Sequence, residues 1–177
     1  MFPLGHLGIG LEIASPFEKG LSRKTILVGT LLPDLMDKSL YYGLSFATGL
    51  RGDKLGLIAG TRTFGHTLIF TVALGLLARI RGSKLLAALA LGTATHLLLD
   101  LITDTCEMGV NSPRIMSISL KALLWPLLGW QFPFAFGAGV HEHLGRIHEP
   151  FILCAEILGA VLLIREWRRT RFKPANG

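Results

Sequence analysis

The sequence has few charged residues and almost no cysteine, and both shortages limit the class of protein it can encode. Only 17% of its 177 residues are charged, whereas about a quarter are charged in an average soluble domain. This shortage argues against a soluble nucleic-acid-binding protein, although the net charge is +6. Two cysteines, Cys106 and Cys154, are too few for a scaffold held together by disulfides.

Apolar residues, in contrast, are abundant. They make up 50% of the chain, and the mean hydropathy is +0.51. Such a composition excludes an intrinsically disordered chain, which needs low hydrophobicity. A length of 177 residues suffices for one domain. We therefore expect an all-α integral membrane protein, with one membrane-embedded domain over residues 1–164 and a basic cytoplasmic tail over residues 165–177.

Several apolar runs have about the length of a membrane-spanning helix, which needs roughly 20 mostly apolar residues. Residues 64–80 and 84–103 fit best, and residues 150–164 form a shorter run that ends at a basic stretch. Residues 3–14 and 25–36 are weaker and fit short spans, re-entrant helices or buried helices. The predicted architecture is a polytopic helical bundle with about four to five spanning or re-entrant helices.

Basic residues predict the orientation of this bundle, because cytoplasmic loops of membrane proteins are rich in lysine and arginine. The turn at residues 79–84, the cluster at residues 19–24 and the stretch after residue 164 are basic, so we place them in the cytoplasm. Six ionisable residues then fall near the opposite, extracytoplasmic end. They are His6, Asp34, Asp37, His66, His96 and Asp100.

The most specific local pattern is His96 followed by Asp100. Residues four apart share one face of a helix, with Cβ atoms about 5–6 Å apart. Neutral imidazole and carboxylate oxygen are both normal zinc ligands. The pair is therefore suited to bind one metal ion or to bridge two. A hydrogen bond that holds two helices together is the alternative interpretation.

Two further motifs contain candidate ligands. Asp34 and Asp37 lie three residues apart on one predicted helical face, where a bound cation would relieve their repulsion. The alternative is that Asp34 caps a helix and Asp37 pairs with Lys38 or Arg62. His66 follows Arg62, whose planar guanidinium suits an anionic group such as a phosphate.

Taken together, these side chains are the ligand types of a hydrolytic metal site. Zinc is the expected metal, with manganese or iron as alternatives, in one or more ions. The predicted metal ligands are His6, Asp34, Asp37, His66, His96 and Asp100. Catalytic roles are predicted for Arg62, which would orient a phosphate, and for Asp37, which like Asp100 could act as general base.

At these residues the chain resembles the integral-membrane metal-dependent hydrolases of bacteria and archaea, which are distantly similar to zinc-dependent phospholipase C. The resemblance covers roughly residues 3–126. It rests on His6, the PDLMD run at 33–37, Arg62 with GHT at 65–67, the HLLLD run at 96–100 and LWP at 124–126. It implies a hydrolase of the bacterial or archaeal plasma membrane that acts on a phosphoester in a membrane lipid, such as a phospholipid headgroup.

Other functions would also explain these polar residues. A transporter or channel for divalent metal ions or protons would use them as a path, with Glu12 and Glu156 along it. Transporters often contain inverted repeats, and we find no repeat in the sequence. A non-catalytic membrane subunit would use them only to hold helices together. The roles of Glu156 and of His141, His143 and His148, and the oligomeric state, stay open.

Overall fold

The fold was analysed in a computed structural model that describes residues 3–108, 120–133, 145 and 148–171. These residues form helices and turns, without a β-strand among them. The long helices of this part of the chain are α1 (Pro3–Ala14), α2 (Arg23–Thr48), α3 (Leu68–Arg81), α4 (Lys84–Met108) and α5 (Pro150–Arg171). Short 3-10 helices lie at Ser15–Phe17, Gly52–Ile58 and Phe64–His66. The predicted all-α fold is confirmed.

Among the described residues, one helix is long and apolar enough to cross a membrane by length and composition, the Lys84–Cys106 part of α4. The prediction of four to five spans is thus not confirmed. Residues 64–80 are not one continuous helix, because Thr67 is extended and its hydroxyl accepts a hydrogen bond from the N–H of Phe70. The 14 residues of α3 rise only about 21 Å, less than a hydrocarbon core of about 30 Å.

Two helices extend beyond the apolar runs of the sequence. α2 continues through Pro33 and ends at Thr48, where it is capped by Gly49, whose φ of 70° is left-handed. Asp34 and Asp37 therefore lie in the middle of a helix and not at the end of a segment. α5 continues to Arg171, so the domain boundary predicted at residue 164 falls within a helix.

α2 and α4 cross where two glycines face the opposite backbone. A Cβ atom on Gly29 would lie 2.6 Å from a carbonyl oxygen of α4, and one on Gly92 would lie 2.3 Å from a carbonyl oxygen of α2. α1 and α5 cross in the same way at Gly8 and Gly159. Small residues at such crossings are typical of membrane proteins, in which helices associate by close packing.

Pro33 leaves one backbone oxygen of α2 available to α4. Since proline has no N–H, the carbonyl oxygen of Gly29 loses its usual helical donor. The hydroxyl of Thr93 donates to that oxygen at 3.4 Å. Nδ1 of His96 lies 2.7 Å from the next carbonyl oxygen, that of Thr30. The α2–α4 contact thus includes side-chain bonds from α4 to the α2 backbone.

The three basic clusters of the sequence lie at one end of the bundle. Nζ of Lys84 is 3.6 Å from the Cβ position of Gly20. Arg23 forms ion pairs with Glu18 and with Glu166. Because these residues belong to the stretches at 19–24, 79–84 and after 164, the clusters that set the predicted orientation meet in space.

We predict that Gly92→Ala destabilises the protein and that Gly75→Ala does not. A Cβ atom at Gly92 would clash with the α2 backbone, and overpacking of this kind costs about 1–3 kcal/mol or more. Gly75 has nothing within 4 Å of its Cβ position, so alanine there gains up to about 1 kcal/mol of helix propensity. Thermal unfolding in detergent, followed by circular dichroism, measures both. Equal Tm values for the two variants would contradict the tight crossing.

Candidate metal centre

The six predicted ligands come together away from the basic end of the bundle. His6 lies on α1, Asp34 and Asp37 on α2, His66 in the turn before α3, and His96 and Asp100 on α4. Asp34 is half-buried and the other five are buried. Two groups have ligand atoms that all lie within 4.8 Å of one another. They are His6 with His96 and Asp100, and Asp34 with His66 and His96.

The distances between donor atoms are close to those of a four-coordinate zinc site. Nε2 of His66 lies 3.2 Å from Nε2 of His96, and 3.5 Å from both Oδ1 of Asp34 and Oδ2 of Asp100. Nε2 of His96 lies 3.6 Å from Oδ2 of Asp100 and 4.0 Å from Oδ1 of Asp34. Zinc bonds of about 2.0–2.2 Å in a tetrahedron put neighbouring donors about 3.3–3.6 Å apart. His66, His96 and Asp100 therefore have the spacing to hold one ion, with Asp34 close beside them.

His6 approaches the other oxygen of Asp100. Its Nε2 lies 3.2 Å from Oδ1 of Asp100, whereas Oδ2 faces His66 and His96. The ring of His6 stacks on that of His96, with centroids 4.1 Å apart. His6 can thus add a fifth donor to a single ion or share Asp100 with a second one.

The far ring nitrogens of two histidines already contact oxygen acceptors. Nδ1 of His96 lies 2.7 Å from the carbonyl oxygen of Thr30, and Nδ1 of His66 lies 2.7 Å from Oδ2 of Asp37. A carbonyl oxygen and an ionised carboxylate only accept hydrogen bonds, so each Nδ1 carries a proton. With both rings neutral, their Nε2 lone pairs would face each other at 3.2 Å, whereas a proton on one of them would make this contact a hydrogen bond. A cation between the neutral rings would relieve the repulsion of the lone pairs, as in sites where outer partners orient histidine ligands.

Asp37 lies behind His66 and belongs to neither group of ligand atoms. Its carboxylate accepts hydrogen bonds from the backbone N–H groups of Thr63 and Gly65, at 2.7 and 2.9 Å. The N–H of His66 donates to it as well, at 3.2 Å. These bonds join Asp37 to the turn and the ring of His66, as a positioning residue would be joined, and its predicted roles as ligand and general base stay predictions. Lys38, its alternative partner, instead pairs with Asp34 at 2.7 Å.

The turn that carries His66 packs directly on α2. A Cβ atom on Gly65 would lie 2.9 Å from Cα of Pro33, so a glycine is needed at this contact. On the other side, Thr67 caps α3 through its hydroxyl. His66 is therefore held between two backbone contacts, which orient its ring toward α4.

Arg62 pairs with two carboxylates of α4. It binds Asp104 with both ends of its fork, and Nη2 also lies 3.2 Å from Oδ2 of Asp100. Burial disfavours the charge of Arg62, but Asp100 and Asp104 outweigh burial and raise the pKa of the guanidinium. Arg62 thus orients Asp100. Its predicted contact with a phosphate stays a prediction.

Two carboxylates at the centre were missed or left open by sequence reasoning. Asp104 is buried and follows Asp100 by four residues, so the spacing of 96, 100 and 104 on one helix face was the available signal. Glu156 accepts hydrogen bonds from the N–H groups of Leu4 and Gly5, each at 3.0 Å. It therefore caps the helix that carries His6, which makes it a buried partner of α1.

Two other polar residues of the sequence, Glu12 and His148, are exposed. Glu12 pairs with Arg165 at 2.7 Å on an exposed surface. His141 and His143 lie outside the described residues.

A small cavity adjoins the ligand atoms. Its volume is about 20 Å³, which is room for about one water molecule. Arg62, His66 and Asp100 form its polar wall, and the other lining residues are apolar: Leu97, Leu101, Ala122 and Leu123. A water molecule held there would touch both the guanidinium and a predicted ligand.

The fold and the centre define a class of helical protein with a buried histidine–carboxylate cluster. The model of the YdjM inner membrane protein family matches residues 1–168, so this chain belongs to that family. Neither the comparison with curated proteins nor that with solved structures found a match. Membership supports the predicted membrane location. It does not support the expected similarity to metal-dependent hydrolases and zinc-dependent phospholipase C.

We predict that Arg62→Gln destabilises the protein more than the double variant Arg62→Gln with Asp104→Asn. Removing one partner of a fully buried ion pair costs about 3–5 kcal/mol, because a charge stays buried and unpaired. Asp104 is buried and Arg62 is half-buried, so we expect a smaller cost of the same sign. In the double variant the two neutral side chains can hydrogen-bond. Unfolding of both variants and of Asp104→Asn in detergent completes a double-mutant cycle. Additive effects would contradict a coupled pair.

Asp37→Asn should weaken zinc binding about 10–100-fold without unfolding the protein, as for other outer partners of ligand histidines. The asparagine amide cannot accept the four hydrogen bonds that reach the two carboxylate oxygens. Competition with a zinc-binding dye measures the affinity. Asp53→Asn, at an exposed acidic residue, is the matched control and should bind zinc like the wild type. Equal affinity of Asp37→Asn and wild type would contradict the positioning role.

Proposed function

We propose that this chain is a membrane-embedded metal-dependent hydrolase that cleaves a phosphoester, such as the headgroup bond of a phospholipid. The observation that supports this proposal most directly is the close approach of five side chains that could bind a metal: His6, Asp34, His66, His96 and Asp100. Imidazole and carboxylate donors without cysteine fit zinc, with manganese or iron as alternatives.

These five side chains would hold the metal, and the residues around the small cavity would serve the reaction. A zinc ion supplies a Lewis acid that polarises a phosphoryl oxygen and makes water nucleophilic near neutral pH. Asp100 borders the cavity, so as a ligand of the metal it would also be able to accept a hydrogen bond from a water molecule there. Arg62 contributes a positive charge to the same wall, which favours an anionic phosphoryl group.

A spanning α4 would carry the centre inside the hydrocarbon layer, where a lipid can reach it from the side. His96 and Asp100 follow Lys84 by twelve and sixteen residues in α4, which corresponds to about 18–24 Å along the helix. The hydrocarbon core is about 30 Å thick, so a spanning α4 with Lys84 at one surface carries the centre past the midplane. Since basic residues mark the cytoplasmic side, the proposed site faces the extracytoplasmic leaflet.

A transporter or channel for divalent metal ions or protons, or a non-catalytic subunit, remains the alternative. An ion that moved toward the basic end would meet the α2–α4 crossing, where even a Cβ atom on Gly92 would clash. Glu156 caps α1, and Glu12 pairs with Arg165. These contacts favour a resident metal over an ion path.

We predict that protein purified in detergent with zinc present contains at least one zinc ion per chain, and that His96→Ala loses it. His96 belongs to both groups of ligand atoms, so its loss should affect every arrangement of the metal. Mass spectrometry of the metal content measures this. His148→Ala, at an exposed histidine, is the control. A well-folded wild type without metal would contradict the proposal.

The same preparations distinguish the three functions. A hydrolase loses turnover of phosphoester substrates when Asp100 becomes asparagine. A transporter in vesicles loses metal or proton flux and shows no turnover in the wild type. A structural subunit loses only stability, as seen by thermal unfolding.

A further inference from the structure

An apolar groove lies beside the candidate metal centre. Its volume of about 300 Å³ is at the lower end of the range of about 300–1,000 Å³ for ligand pockets. Leu68, Val72 and Leu76 form its wall on α3, and Leu123 and Trp125 face them. Val72 and Leu76 are 48% and 56% exposed, so this wall is open to an apolar occupant.

The groove and the small cavity share a wall. Leu123 lines both, so the groove ends beside the polar surface that Arg62, His66 and Asp100 form. An occupant with a charged head and an apolar tail matches this change of chemistry. Leu68 begins α3 two residues after His66, which places the head end of the groove at the centre.

The direction of the groove also fits a lipid. From Leu68 to Leu76, α3 advances about 12 Å toward its basic end at Arg79 and Arg81. The groove therefore runs from the centre toward the middle of the membrane. An acyl chain runs the same way from its headgroup.

We propose that the groove binds one acyl chain of a phospholipid whose phosphoester lies at the metal centre. This inference rests on the proposed function and adds a determinant of substrate choice. The α3 wall selects lipids by their chains, whereas the centre acts on the phosphoester.

Val72→Trp tests the inference, because the larger side chain fills the groove without touching a predicted ligand. Val161→Trp is the matched control, since Val161 is an equally apolar residue, 56% exposed, on α5. Both variants should keep the wild-type zinc content and circular dichroism. The probes are dioleoyl phospholipids in mixed micelles and a water-soluble nitrophenyl phosphodiester.

For Val72→Trp we expect kcat/KM on the dioleoyl substrates to fall about tenfold or more, because the lipid is displaced from the reacting position. Hydrolysis of the soluble diester should stay close to the wild-type rate. Mass spectrometry should find less co-purified phospholipid in this variant than in wild type. Val161→Trp should match wild type in all three measurements.

The outcomes separate the groove from the proposed function. If Val72→Trp behaves like Val161→Trp on the lipid substrates and in co-purified lipid, the groove inference is wrong while hydrolysis stands. If the wild type hydrolyses neither probe, the proposed function fails. The co-purified phospholipid then decides alone whether an acyl chain occupies the groove.

Discussion

α2 and α4 touch backbone to backbone at Gly29 and Gly92, and the geometry of the candidate centre depends on this contact. The close approach brings Nδ1 of His96 to 2.7 Å from the carbonyl oxygen of Thr30. That bond turns Nε2 toward His66. A wider crossing would leave a buried imidazole N–H unsatisfied, at a cost of about 1–3 kcal/mol. Because Pro33 and Gly65 then bring the His66 turn onto α2, the second histidine is positioned by the same helix.

Around the donor atoms lies a set of residues that orient them. Asp37 accepts hydrogen bonds from His66. Arg62 pairs with both Asp100 and Asp104. Glu156 accepts hydrogen bonds from the N–H groups at the start of α1, the helix that carries His6. Carboxylates outnumber fixed positive charges among the described residues of the centre. The carboxylates are Asp34, Asp37, Asp100 and Asp104, and the basic side chains paired with them are Lys38 and Arg62. A bound divalent cation would balance this excess in an environment where unpaired charges are costly.

Part of this arrangement was predictable because it depends on local sequence. The all-α fold and the bounds of α1 follow from apolar runs, and His96 and Asp100 share a face by helical spacing. The span at residues 64–80 was mispredicted because a hydropathy run does not reveal that the Thr67 hydroxyl caps a helix there. Asp37 was interpreted as a ligand because its type and spacing suit one. Only its bonds to the 63–66 turn show that its oxygens are engaged.

The sequence by itself determined the all-α class of fold and the ionisable residues that meet. Periodicity and composition are properties of short segments, so they can be used for prediction when the tertiary contacts are unknown. Tertiary structure decided which of these residues meet at the candidate centre and which contact them from outside it. Asp104 with Arg62, and Glu156 with the start of α1, join positions separated by 42 and up to 152 residues. Such pairs form only when helices pack, because the free energy that selects them comes from desolvation and close contact between distant segments.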